Sequence, residues 1–93
     1  MKVIIYVCDN TEVPIYEQFN LCSRYCKHYG YSIADKVFDF EGGHFYQAVD
    51  KAIFNDDIDC VVVFNNNCIG NFEDNIFFRI YLKEFGKKLI ISY

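Results

Sequence analysis

Short apolar runs alternate along this chain with longer amphipathic stretches, and compact polar breaks separate them. Lys2–Cys8 is a run of β-branched and aromatic residues and predicts a first, buried strand. Asp9-Asn10-Thr11-Glu12 is the turn after it; Asn10 or Thr11 can cap a helix there, with Pro14 in its first turn. Ile15, Phe19, Cys22, Cys26 and Tyr29 then recur at spacings of four and three, one face of an amphipathic helix. Gly30 ends it, as a residue that tolerates left-handed dihedrals should. Tyr31–Phe40 alternates and predicts a second strand, followed by a flexible loop, Glu41-Gly42-Gly43-His44. Val49, Ala52 and Ile53 give Tyr46–Phe54 a helical period, which Asn55-Asp56-Asp57 breaks. Cys60–Phe64 predicts a third strand, Glu73–Phe85 a third helix stopped by Gly86, and Leu89–Ser92 a fourth strand. The order βαβαβαβ implies a small three-layer α/β domain with a mostly parallel sheet and right-handed crossovers.

The stretch from Asp59 to Asn71 is where chemistry is expected. Its apolar run breaks abruptly into Asn65-Asn66-Asn67, and the carboxyl ends of strands in open α/β sheets are where ligands bind. Yet Asn65–Asn71 offers amides and one thiol, and no acid, base or cation.

Composition narrows the function classes. The 93 residues make one domain, whose core hides roughly 60% of the unfolded surface. Aromatic residues make up 19%, ten Phe and eight Tyr, which is more aromatic surface than so small a core readily hides. The net charge is −4 and the nine cations are scattered, apart from a cluster at Lys83–Lys88 that contains Glu84. A domain that grips nucleic acid by itself shows a basic patch, so at most weak DNA binding is expected. Five cysteines without framework spacing argue for a cytoplasmic chain with reduced thiols. No apolar run approaches a membrane span, and no glycine-rich loop follows a strand, so neither a membrane nor a nucleotide cofactor is expected.

Taken together, the quoted residues resemble the N-terminal catalytic domain of serine recombinases of the resolvase/invertase type. In that family the first strand ends Tyr-x-Arg-x-Ser; here it reads Tyr6-Val7-Cys8-Asp9-Asn10-Thr11. Gln18, Leu21, Tyr25-Cys26 and Gly30-Tyr31 match the family's first helix and the turn after it. Asp39 and Gly42-Gly43 match the end of its second strand loosely. Asn67-Cys68-Ile69-Gly70-Asn71 stands where the family has Asp-Arg-Leu-x-Arg, and Gly86, Leu89-Ile90-Ile91 and Ser92 match its later glycine and short strand. The resemblance spans essentially all of 1–93 and implies a flavodoxin-like, resolvase-like domain with a four-stranded sheet in the order 2-1-3-4. A single such domain is expected, without the family's DNA-binding domain or long dimerisation helix.

The family's reaction is attack of a serine hydroxyl on a DNA phosphodiester, with arginines clamping the phosphate. Such catalysis is mostly positioning and electrostatics. Carried over position by position, the nucleophile's place holds Asn10, the first-strand arginine is Cys8, the third-strand aspartate is Asn67, and its two arginines are Cys68 and Asn71. The arginine expected at the second helix is missing, with Phe45 or Tyr46 near it. Tyr6 and Asp39 remain. The resemblance therefore implies a degenerate active site with no catalytic residue, and a non-enzymatic interaction or regulatory module linked to DNA recombination or a mobile element. The alternatives are a component of a strand-exchange recombinase, or a thiol or metal sensor using Cys8 and Cys68 with His44. Simpler readings are that Cys8 and Cys68 fill space, that Cys22 and Cys26 are core, and that Asp9 and Glu12 cap the first helix. No cofactor and no metal are expected.

The third helix is apolar nearly all round, which marks a buried helix or an interface. Phe77, Phe78, Tyr81, Leu82 and Phe85 are the interface candidates. The expected partner is a second copy of this chain or an active recombinase.

Overall fold

Lys2–Cys8 forms the strand its composition predicts, β1, and every residue in it after Lys2 is buried. The computed structural model describes residues 1–9 and 12–92. After β1 come α1 (Ile15–Tyr29), β2 (Ser32–Asp39), α2 (Phe45–Ile53), β3 (Cys60–Val63), a 3-10 turn (Asn66–Cys68), α3 (Phe72–Glu84) and β4 (Lys88–Ile91). The expected elements are all present, with ends shifted by a residue, as fraying ends usually are.

The four strands form one sheet in the order β2-β1-β3-β4, every pair parallel. The step from β1 to β2 runs one way along the sheet and the later steps run the other. Right-handed crossovers therefore put α1 on one face and α2 and α3 on the opposite one. Phe45 of α2 meets Phe78 of α3 at 5.1 Å and Tyr6 of β1 at 5.2 Å, which builds the core on that face. Central β1 after Lys2 and all of β3 are buried, whereas the edge strands β2 and β4 are only partly covered. The β1–β2 register slips between Val3 and Ile4, so the start of the exposed β2 edge is irregular.

Two local expectations are corrected. Pro14 is the residue before the first turn of α1, not within it, and among the described residues no side chain caps that end, so Asp9 and Glu12 do not cap α1. Asn10 and Thr11 lie outside the described residues. Tyr29 leaves the buried face: it is 55% exposed and joins Tyr25 and Tyr31 in a surface aromatic group. Gln18 takes a place on that face instead, wholly buried between Ile15 and Cys22. Gly30 does end α1, at φ 74°.

Candidate functional site

The carboxyl ends of β1, β2 and β3 lie side by side, and three polar groupings form there. The first surrounds Asp39, the last residue of β2, which is 6% exposed. Its carboxylate accepts from Tyr6 Oη at 2.6 Å, from the backbone N–H groups of Glu41 (3.2 Å), Gly42 (2.8 Å) and His44 (2.9 Å), and lies 3.1 Å from His44 Nδ1. An ionised carboxylate only accepts, so this contact puts the imidazole proton on Nδ1. Burial pushes the Asp39 carboxyl up, but the bonds from Tyr6, His44 and Gly42 more than offset it, and its pKa settles below the ordinary value. Burial first, then the bond to Asp39, pushes the Tyr6 phenol up, so Tyr6 stays a donor.

The second grouping closes the end of β1. Gln18 Nε2 donates to Cys8 O at 2.7 Å and Val13 O at 2.8 Å, while its Oε1 accepts from Cys8 N–H at 3.3 Å. These three backbone bonds fix the amide's orientation. Its oxygen also lies 3.6 Å from Cys68 Sγ, and Asn65 Oδ1 lies 3.5 Å from the same sulfur. Asn65 Oδ1 is fixed in turn by accepting from Asn67 N–H at 3.1 Å. Hydrogen bonding with Cys8, joined by the backbone of Asn65 and Phe64, outweighs burial and holds the Cys68 thiol below its ordinary value. Cys8 Sγ donates to Cys68 O at 3.8 Å, and both cysteines are buried.

The third grouping faces solvent. Asn71 caps α3 by accepting from Asp74 N–H at 2.8 Å, and Asp74 returns the bond by accepting from Asn71 N–H at 3.0 Å. Gly70, at φ 142°, is needed there because a Cβ would run into the Asp74 carboxylate. Arg79, two turns along α3, donates from Nη2 to Asn66 Oδ1 at 2.7 Å. With Asn67, Phe72, Asn75 and Ile76 they line a cavity of about 410 Å³. The asparagine loop carries no cation of its own; the fold brings one from a helix.

No protein-family model matches the sequence, and no curated protein matches it. Solved structures do match. The C-terminal catalytic domain of ISC1926 TnpA, an IS607-like serine recombinase, aligns over 100% of this chain and 68% of that one, with TM-score 0.85 and 15% identity. The N-terminal catalytic domain of TP901-1 integrase aligns over 99% of this chain and 77% of that one, with TM-score 0.83 and 21% identity. The chain has the fold of a serine recombinase catalytic domain.

On that serine recombinase fold the positions singled out in the sequence fall into separate environments. Tyr6 and Asp39 are bonded to each other. Cys8 and Cys68 meet beneath Gln18. Asn67 and Asn71 lie in the exposed loop, Asn71 as the α3 cap. Asn10 is outside the described residues. His44 belongs to Asp39, and among the described residues no three His, Cys, Asp or Glu side chains are placed to share a metal. No described helix is long and apolar enough to cross a membrane.

The interface candidates divide. Phe77 and Phe85 are exposed, Phe78 and Tyr81 are half-buried, and Leu82 is wholly buried. Leu82 is a core residue, because it is the side chain by which α3 grips the sheet. Exposed Phe72, Ile76 and Ile80 share the outer side of α3 and were not among those candidates. Gln18 and Arg79 were missed as site builders. Gln18 had a signal, a polar residue three after Ile15 and four before Cys22; Arg79 had none.

Proposed function

We propose that this domain serves DNA recombination as a non-enzymatic interaction or regulatory module. The observation that carries this reading is the closed end of β1. Where the resemblance calls for a cationic clamp, Cys8 and Cys68 are 0% and 1% exposed and Gln18 saturates the backbone around them. Phosphoryl transfer needs a nucleophile and preorganised positive charge open to the phosphate. A filled pocket without a cation stabilises no developing anion. Arg79 is a single guanidinium on the far side of the loop, already engaged by Asn66. Losing one transition-state donor costs about 10²–10³ in rate, and here several are absent together.

The fold neighbours are recombinase domains, which supports a link to recombination, and the −4 charge supports at most weak DNA contact by this domain alone. Incubation with supercoiled DNA and Mg²⁺, followed by denaturing electrophoresis, tests the reading. Unnicked plasmid and no protein–DNA adduct are expected. A covalent adduct that is lost on substituting a residue of the 9–12 turn overturns it.

A further inference from the structure

We propose that Cys8 and Cys68 are a peroxide-responsive dithiol, which closes reversibly into a disulfide between the end of β1 and the 3-10 turn after β3. This goes beyond the interaction-module reading and does not rest on it. The fold brings the two cysteines together from 60 positions apart. β1 and β3 pair in parallel as far as Tyr6 and Val63. Cys8 is the last residue of β1, and the turn over Asn66–Cys68 folds Cys68 back towards it. Cys8 Sγ lies 3.8 Å from the Cys68 carbonyl oxygen, and the two side chains are hydrogen-bonded to each other. One fixed amide touches both: Gln18 Oε1 accepts from Cys8 N–H at 3.3 Å and lies 3.6 Å from Cys68 Sγ. A shared metal is not what this pair is built for. His44, the third ligand it would need, is engaged by Asp39, and among the described residues no three such groups converge.

The two sulfurs have different tasks. Cys68 attacks first, because its bonds to Cys8 and to the backbone of Asn65 and Phe64 favour the thiolate, which is the nucleophile. Burial instead pushes Cys22 up to about 11 and Cys60 up to about 12, so those two stay as unreactive thiols. Asn65, whose Oδ1 lies 3.5 Å from the Cys68 sulfur, is itself half-buried, which puts that sulfur one side chain from solvent. Hydrogen peroxide, little larger than water, is the class of oxidant that suits so enclosed a thiolate. The Cys68 sulfur attacks one peroxide oxygen: an S–O bond forms, the O–O bond breaks, and the leaving hydroxide takes up the proton that Cys68 had released, giving water. The Cys8 sulfur then attacks the Cys68 sulfenic acid. An S–S bond forms, the S–O bond breaks, and the Cys8 proton leaves with the hydroxyl as a second water. Two thiols are oxidised and one peroxide is reduced to two waters. The new bond fastens to the central strand the turn that carries Asn66 and Asn67, two of the residues lining the exposed cavity.

Treatment of the reduced, folded chain with a few equivalents of hydrogen peroxide at neutral pH, with a chelator present, tests this. Intact mass and peptide mapping without reductant are the readouts. The wild type is expected to lose two hydrogen atoms, to yield a peptide cross-linked through Cys8 and Cys68, and to regain its starting mass with dithiothreitol. The oxidised chain is expected to unfold at a urea concentration higher by about 1 M or more, because the cross-link closes a long loop. Cys8→Ala is expected to gain one oxygen atom on Cys68 in place of losing two hydrogens, since nothing resolves the sulfenic acid. Cys68→Ala is expected to leave Cys8 reduced, and Cys22→Ala to leave the cross-link unchanged. A native wild type that forms no cross-link overturns the proposal, as does a cross-link that joins other cysteines or that appears in denaturing urea alone. The wild-type mapping needs no variant to fold, so an unstable variant leaves the decision with it. None of these results depends on whether the chain cleaves DNA, so the dithiol and the loss of catalysis stand or fall separately.

Discussion

At the end of β2 a buried carboxylate is held ionised by five hydrogen-bond donors; at the end of β1 a buried, uncharged amide ties down the backbone beside two thiols. Both groupings sit on the edge of the sheet where the fold places chemistry, and both direct their polar atoms inward. The difference is in what each fastens. Asp39 gathers the N–H groups of the loop between β2 and α2, a task that suits a charge able to accept several bonds at once. Gln18 meets one N–H and two carbonyls of the segment between β1 and α1, a task that needs a donor and an acceptor on one side chain. A charge survives burial here because its donors were assembled by the backbone, while the thiols survive because so little is asked of them.

The largest expected effect comes from breaking the charged grouping. Asp39→Ala leaves the Tyr6 hydroxyl and several loop N–H groups without their acceptor, at a cost of about 3 kcal/mol in urea unfolding at pH 7. The pH dependence sharpens this. The folded-state pKa of Asp39 lies below its ordinary value, so its contribution is fully present above the unfolded pKa of about 3.9 and is lost as pH falls through the lower folded value. The stability gap between wild type and Asp39→Asn is therefore expected to hold from about pH 7 to about pH 5 and to close progressively below about pH 4. A gap that stays open at lower pH contradicts an ionised, donor-saturated carboxylate.

Gln18→Leu comes next, at about 2 kcal/mol, because it preserves volume but strands one N–H and two carbonyls of the β1–α1 segment. Its cost is expected to vary far less with falling pH than that of Asp39→Asn, since the amide itself does not titrate. If Gln18→Leu proves the costlier change, the ranking of the two groupings is inverted.

The thiols should matter least. Cys68→Ala is expected to cost about 1 kcal/mol, a small cavity and no stranded backbone group. Burial raises Cys22 to about 11 and Cys60 to about 12, and the thiolate is the reactive form. Cys22 and Cys60 should therefore react with a disulfide reagent about a hundredfold more slowly in buffer than in denaturing urea, because both are buried and reaction waits for local opening. Either thiol reacting promptly in the native chain would extend the sensor reading to that residue.

The strand and helix order, the parallel sheet and the stops at Gly30 and Gly86 were all legible in the residues, because each follows from a local period or a local backbone freedom. The likeness of 1–93 to the recombinase domain was also legible, though spread thinly over single positions. Asp39 was legible only as a loose match. That it accepts from five donors depends on the loop folding back over it, which no residue type announces. Arg79 was illegible as a neighbour of Asn66, since 13 positions separate them and only the turn from β3 into α3 closes the gap.

The sequence by itself determined which segments are strands and helices, and that α3 has apolar residues on nearly every side. It could not say which of those sides faces inward, because a helical wheel has no fixed zero when every direction is apolar. Packing of α3 against β4 and α2 supplied that zero. It turned Leu82 into the core and left Ile76, Phe77 and Ile80 outside. The same holds for Gln18 and Asp39: local pattern marks a residue as polar, but whether it lies in water or in the core depends on the donors and acceptors that distant segments bring to it, and only the tertiary structure assembles those.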